Sequence, residues 1–511
     1  MTTPVSGELR PAATRREPLS RDGASDTLAA VTNALKLGSS LIATLGIAIA
    51  TKLLMPRYLG PTSFGTLSFA DGFTATFFVA LNLGAEFYIR KEVSVRPAHA
   101  SDFLGGTLLL RAVMSAAIFG VMTLVMRATG RSPEVQALVY VFGAAQFFVS
   151  VNATFSALLH AKGAVGGMSA LAVATKIVWA GGVVVSIVAG VGLWGFAVAY
   201  LASESIESFI LYGLARRHLG LVLRVDPAAT RAMVVSSLPY FLNVCATGAY
   251  GRVDVPLLGI LAGAGREVGW YVAASTLSGL TLLVTPLIDW VLTPVLARGA
   301  LRSREDLFSH VRQATEPILV VAIPVSLFVA VGADLWLRLL FGRAFDPATT
   351  AVRILAGSSV VIYVAIVYAL TLIMLERAWT LTLISVGGLL LNVVLNLLLI
   401  RPCLAAFGDG GGGVGCALAA LGTHLFAAGA MIAFVGHKAF DASTYGMIAK
   451  SLLGCVLVVL VDRLGVSLGW LRLVPDVAVY LVVVLATGAL RTKAMWQMVT
   501  EAVRSRRRSR A

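Results

Sequence analysis

The stretch GLWGFAVAYLAS, Gly192 to Ser203, lines up without a gap on GGVGCALAALGT, Gly412 to Thr423. Two glycines, two alanines and a leucine coincide, and Ser203 meets Thr423. The first copy opens the sixth apolar segment of the chain and the second opens the twelfth. Duplication of a six-helix unit produces this pattern; so does a coincidence of small residues in helices that pack closely. A weaker echo sets GPTSFGTLSFA, Gly60 to Ala70, against GREVGWYVAA, Gly265 to Ala274, at the starts of segments two and eight. The two spacings differ, so the second half carries inserted residues, for which GDGGGG, Gly408 to Gly413, is a candidate. Parallel halves with an even number of spans are a transporter pattern, with the substrate path at their interface.

The rest of the chain agrees with a membrane reading. Of 511 residues, 58% are hydrophobic and only 13% charged, and mean hydropathy is +0.86, values outside the range of soluble globular chains. Apolar runs long enough to cross about 30 Å of hydrocarbon as helix lie near 30–54, 64–88, 103–126, 136–159, 165–188, 193–214, 233–261, 269–297, 314–340, 351–374, 378–400, 412–436, 444–461 and 474–490. The expected fold is therefore all-α integral membrane, with about fourteen transmembrane helices arranged as two six-helix lobes plus two C-terminal helices. The implied division is a basic N-terminal tail (1–29), a first lobe (30–217), a linker (218–232), a second lobe (233–438), two extra helices (439–490) and a basic tail (491–511). No short apolar core with a small-residue cleavage site opens the chain, so no cleaved signal peptide is expected. Lys and Arg concentrate in the tails and in alternate loops, which places both termini in the cytoplasm.

The net charge of +15 comes from scattered short loops and the tail RSRRRSR, Arg504 to Arg510. This suits anionic lipid headgroups; no groove-reading motif points to nucleic acid. Cys245, Cys403, Cys416 and Cys455 are too dispersed for a zinc knuckle. Cys403 and Cys416 flank one outer loop, where they either pair or serve as small apolar residues. Connections are short throughout, leaving no room for an extramembrane catalytic domain, and of six histidines only His424 falls inside a core segment. The chain is therefore expected not to be an enzyme.

Within the apolar segments stand Lys36, Arg111, Lys176, Arg252 and Arg353, with Asp71, Glu86, Glu204, Glu207, Asp254 and Asp289. At the insertion cost of a central charge, all of them facing lipid would cost about 30 kcal/mol, so most must face one another or an aqueous cavity. Lys36 and Arg353 lie near segment ends and can snorkel, and Glu86 can pair with Arg90 along its own helix. The deeper residues either line a cavity or form structural pairs between helices. In ATGAYGRVDVPLLGILAG, Ala246 to Gly263, Arg252 and Asp254 are two apart, about 200° around a continuous helix; each needs its own partner. Segment eleven reads LLLNVVLNLLLI, with Asn392 and Asn396 on one face. Asp254, the two amides and the Thr423 hydroxyl make a ligand set for a hard monovalent cation, or the amides simply join helices.

Several motifs resemble one family. KLLMPRYLGPTSFGTLSFADGF, Lys52 to Phe73, followed by LNLGAEFYIRKEV, Leu81 to Val93, looks like the opening helix pair of Wzx-type polysaccharide flippases. These belong to the multidrug/oligosaccharidyl-lipid/polysaccharide exporter superfamily. SLPYFLNVCATGAYGRVDVPLLG, Ser237 to Gly259, with EVGWYVAASTL, Glu267 to Leu277, resembles helices seven and eight of the family; Leu391 to Ile400 with Gly413 to Thr423 resembles eleven and twelve. The resemblance spans about residues 30–440 and implies a V-shaped pair of lobes working by alternating access. It implies an undecaprenyl-pyrophosphate-linked oligosaccharide as substrate, moved across the bacterial cytoplasmic (inner) membrane. Expected partners are membrane lipids and the polymerase and chain-length regulator of the same pathway, for products such as lipopolysaccharide or exopolysaccharide.

By position, the resemblance assigns ion coupling to Asp254, Asn392, Asn396 and Thr423, and anion contact to Arg111, Lys176 and Arg252, with Asp71 and Glu204 in the same cavity. No cofactor is implied beyond a coupling Na+ or H+. A relative carries a carboxylate where this chain has Asn396, which weakens the case for sodium and favours a proton. The alternatives are a multidrug/cation antiporter of the same superfamily, which would use Asp71, Glu204 and Glu207 as an anionic pocket, and a membrane glycan polymerase or glycosyltransferase, which would need larger outer loops than these.

Overall fold

The computed structural model describes residues 21–81, 89, 93, 100–161, 165–220, 224–436 and 442–487. Its regular elements are helices, as a chain must build where lipid offers the backbone no hydrogen bonds. In chain order they are α1 (Arg21–Phe78), α2 (Ala100–Ala128), α3 (Pro133–Ala161), α4 (Val165–Val188), α5 (Leu193–Leu219), α6 (Pro227–Tyr250), α7 (Asp254–Ala262), α8 (Arg266–Gly279), α9 (Thr285–Arg302), α10 (Arg304–Val331), α11 (Ala333–Leu340), α12 (Thr349–Met374), α13 (Ala378–Phe407), α14 (Gly411–Val435), α15 (Ala442–Leu464) and α16 (Leu473–Ala486).

Each of the fourteen apolar segments falls on one or two of these helices, and the chain is an all-α multi-pass membrane protein. Segment one, and segment two as far as Phe78, lie in α1, which turns at Gly60, whose φ of 68° and ψ of 172° are left-handed and non-helical. Segments seven and eight, expected as continuous helices, are each broken: α6 gives way to α7 across residues 251–253, and α8 to α9 across a 3-10 turn at Leu280–Leu282. Among the described residues, nine helical stretches are long and apolar enough to span by themselves. Helix α5 carries Glu204 and Glu207 in its apolar run.

The two copies of the repeated motif both begin helices. Gly192 (φ 69°) precedes α5 and Gly410 (φ 83°) precedes α14. The aligned Ser203 and Thr423 are both fully buried. Helices α3, α4 and α5 pack on one another and on α1, whereas α12, α13 and α14 pack together beside α8. The two groups meet where the second part of α1 lies along α7 and α8, and where α2 meets α6. At Gly65 and Gly269 the α1 and α8 backbones approach so closely that a Cβ on either would collide with the Gly265, Gly269 or Pro61 main chain. Around this seam one buried cluster joins Phe64, Phe69 and Phe73 of α1 to Leu258, Trp270 and Tyr271. Helices α15 and α16 pack on each other and against α10, outside both groups.

Cys403 and Cys416, candidates for pairing, are both free and buried. Arg353, expected to snorkel, lies 3.8 Å from Asp334. The side chains of Lys36, Glu86 and Asp289, the first twenty residues and the tail 491–511 lie outside the described residues.

Candidate functional site

The separation of Arg252 from Asp254 is built by a proline. Pro256 has no N–H, and its ring would clash with the carbonyl four residues earlier, which is that of Arg252. The helix stops at Tyr250 and restarts at Asp254, with Pro256 buried in the first turn of α7, where proline is tolerated. Between them the Arg252 and Val253 amides both donate to the Ala249 carbonyl, at 3.0 and 3.1 Å. The Arg252 carbonyl, freed from the ladder, accepts from the Thr76 hydroxyl of α1 at 3.4 Å. The expected angular separation on one continuous helix is thus replaced by a break, and the two charges face different surroundings.

Arg252 is exposed and lines a cavity of about 200 Å³ with Arg111, Gln146, Ser150 and Gly248. Among the described residues the lining holds two guanidinium groups and no carboxylate, and Asp71 lies within electrostatic reach of Arg252. Arg111, 1% exposed, is fixed by a hydrogen bond from its guanidinium to the Ser150 carbonyl. One turn away on α1 a second cavity of about 390 Å³ opens, lined by Lys52, Ser68 and Asp71 of α1, by Lys176 and Trp179 of α4, by Tyr200 of α5, and by Val255, Val272, Ser275 and Thr276 of α7 and α8. Both cavities draw walls from both halves of the chain.

Of the five residues expected at the substrate path, Asp71, Lys176, Arg111 and Arg252 line these two cavities. Glu204 stands behind: it is 5% exposed, lies 3.4 Å from the Lys176 ammonium, and accepts from the Asn152 amide at 3.2 Å. Asn152 is in turn held by the Ser208 hydroxyl at 2.5 Å. Lys176 is therefore a neutralised cation. Lys52, which the sequence reading did not single out, joins the larger cavity within electrostatic reach of Asp71; its only sequence signal is that it opens the Lys52–Phe73 motif.

Asp254 faces the other way. Its two carboxylate oxygens accept from the Tyr271 hydroxyl of α8 and the Asn396 amide of α13, each at 2.8 Å. The same Asn396 nitrogen donates to the Asn392 carbonyl at 2.9 Å and to the Asn392 side-chain oxygen at 3.0 Å. The structure thus brings Asp254, Asn392 and Asn396 together and adds Tyr271, whose signal was the Val-Gly-x-Tyr pattern. It does not bring in the Thr423 hydroxyl, which donates to its own helix at the Ala419 carbonyl, 2.7 Å away. Two donors point at the carboxylate here, whereas a bound cation would need oxygens facing it. The buried Asn396 Oδ1 is left without a hydrogen bond.

The family model described as polysaccharide biosynthesis protein matches residues 54–350, a stretch that includes the smaller cavity, most of the lining of the larger one and Asp254. A curated relative, the probable low-salt glycan biosynthesis flippase Agl15 of Haloferax volcanii, is 23% identical over 257 residues, 50% of this chain and 52% of that protein; the chain spans about half the length of the relative it matches. Among solved structures, the lipid II flippase MurJ in an inward closed conformation superposes with a TM-score of 0.70 at 12% identity, covering 91% of this chain and 99% of that one. An inward-facing multidrug resistance MATE family transporter of the MOP superfamily superposes at 0.61 and 16% identity, over 79% and 98%. A MOP superfamily transporter from Pyrococcus furiosus, described by the reverse polarity of its binding pocket, superposes at 0.56 and 14%, over 80% and 96%. These superpositions give the fold; the sequence match gives the membership, and the chain belongs to the polysaccharide biosynthesis protein family.

Proposed function

We propose that this protein is a lipid-linked oligosaccharide flippase, carrying undecaprenyl-pyrophosphate-linked glycan units from the inner to the outer leaflet of a bacterial cytoplasmic membrane by alternating access. The observation that carries the reading is the cavity between the halves that Arg111 and Arg252 both line. Two guanidinium groups inside a low-dielectric wall attract a diphosphate far more strongly than they would in water. The reading is supported by a relative described as a glycan biosynthesis flippase and a structural neighbour described as a lipid II flippase.

With both termini cytoplasmic, the α1–α8 glycine seam closes the outer end and the α2–α6 contact closes the inner one. Asp254, bound on both oxygens and two residues from Arg252, is the group through which we connect ion and substrate, with a proton as the coupling ion. A multidrug antiporter is the second reading, favoured by Asp71 in the larger cavity. It is countered by Lys52 and Lys176 beside that carboxylate and by the two arginines.

The test is deletion of the gene in its host, with lipid-linked oligosaccharide, surface polymer and dye resistance assayed together. The flippase reading expects finished units to accumulate on the inner leaflet while surface polymer disappears. Normal polymer with raised sensitivity to cationic dyes would select the antiporter instead.

A further inference from the structure

The two cavities differ in chemistry, and the difference bears on the glycan itself. The smaller one carries two arginines and no acid. The larger one carries Lys52, Lys176 and Asp71, with Glu204 paired to Lys176 directly behind the wall. Each lysine of the lining thus has a carboxylate within reach, Asp71 for Lys52 and Glu204 for Lys176.

Its remaining lining is aromatic and hydroxylic. Phe142, Trp179, Phe196 and Tyr200 supply rings, and Ser68, Ser275 and Thr276 supply hydroxyls. The rings are fixed in place: Tyr200 lies 5.8 Å from Phe142 and 6.4 Å, edge to face, from Trp179. The Lys176 ammonium sits 5.9 Å from the Trp179 ring centroid, a cation–π distance. Rigid rings beside hydrogen-bonding groups are what a pyranose requires, since its C–H faces pack on aromatic carbon while its rim hydroxyls need donors and acceptors. A volume of about 390 Å³ falls in the range of small-molecule sites, whereas about 200 Å³ suits a compact anion. The cavities adjoin, because Asp71 of one and Ala75 of the other are a single turn apart on α1.

We propose that the larger cavity is a sugar subsite for an uncharged pyranose, the residue attached directly to the diphosphate that Arg111 and Arg252 hold. This rests on the flippase reading and narrows its substrate class: the reducing-end sugar is a neutral hexose or N-acetylhexosamine, not a uronic acid. Trp179 and Tyr200 form its apolar floor. Lys176 serves as a ring-covering group whose charge Glu204 cancels, not as a phosphate ligand.

The test uses the purified full-length protein in detergent and three soluble short-chain polyprenyl diphosphates: one bare, one bearing N-acetylglucosamine and one bearing glucuronic acid. Affinities are read by calorimetry. The neutral conjugate is expected to bind about tenfold tighter than the bare diphosphate, and the uronate conjugate no tighter than bare. In Trp179→Ala the neutral-sugar advantage disappears while affinity for the bare diphosphate is held, and Trp179→Phe restores part of it. Tyr200→Leu gives the same reading if Trp179→Ala does not fold. Equal affinity for all three probes, a uronate advantage, or an advantage that survives both substitutions overturns the subsite. If bare diphosphate binds and Arg252→Ala weakens it, such a result leaves the flippase reading standing. If no probe binds, that reading falls, and the subsite falls with it.

Discussion

At the scale of single residues, the account depends on where two charges go once Pro256 has broken the seventh segment. Arg252→Ala removes one of two guanidinium groups from the smaller cavity and is expected to abolish transport, with substrate affinity weakened by about 1.5–3 kcal/mol. Arg252→Lys keeps the charge but not the two-pronged geometry and should retain part of the activity; equal rates for the two variants would remove Arg252 from the path. Asp254→Asn preserves shape and one acceptor while removing the charge that Tyr271 and Asn396 bind, so it should make transport independent of the pH gradient. Unchanged dependence would make Asp254 a structural partner only. Much of this was legible in the sequence, because a charge in an apolar run must find water or a partner. The partners themselves were less legible. Lys176 and Glu204 are 28 positions apart, and only the packing of α4 on α5 makes them a pair. Tyr271 carries no charge and looks like any core aromatic until the fold sets its hydroxyl against Asp254. Thr423 misled because a hydroxyl in a helix can always bond to its own backbone.

At the scale of elements, the joints between helices carry the consequences. The Glu267 carboxylate at the start of α8 receives the amides of Gly410, Gly412 and Gly413 at the start of α14, at 2.8, 2.9 and 3.3 Å. A carboxylate at a helix N-terminus satisfies orphan donors and meets the positive end of the helix dipole. Glu267→Gln is expected to lower stability by about 1–3 kcal/mol, seen as a lower unfolding temperature in detergent; an unchanged temperature would show that the clasp is not needed.

The seam between α1 and α8 makes a second expectation. Gly269→Val places a side chain against the Pro61 carbonyl and is expected to hold that end of the seam apart. In a cysteine-free background, Ser275→Cys in the larger cavity should then be labelled from outside the membrane by an impermeant maleimide, whereas the same cysteine beside the native Gly269 is protected. Equal labelling would mean that this seam is not the outer gate. Arg131 reinforces the seam: it donates to the Gly259 carbonyl at 2.7 Å and stacks 5.4 Å from Phe69, and partial burial there holds its guanidinium below the ordinary value. Helix count and order were readable from apolar run length, yet the breaks at 251–253 and 280–282 were not, since hydropathy continues through them. The buried Pro256 was the one local sign.

At the scale of the whole molecule, two groups of helices enclose a pair of adjoining cavities and touch at both ends, one through α1 with α8 and the other through α2 with α6. That state follows from small residues placed at the contacts, which let the backbones approach, and from the buried aromatic cluster around the α1–α8 seam. The gapless match of Gly192–Ser203 on Gly412–Thr423 anticipated where α5 and α14 begin, and the positions of two cavities of different character came only from the fold. The most direct measurement is translocation by the purified protein in proteoliposomes, following a fluorescent short-chain polyprenyl diphosphate glycan from one leaflet to the other. The account predicts transfer by the native protein well above that of empty vesicles, and loss of transfer in Arg111→Ala and in Arg252→Ala. Transfer that is no faster than in empty vesicles, or that survives both substitutions, would contradict it.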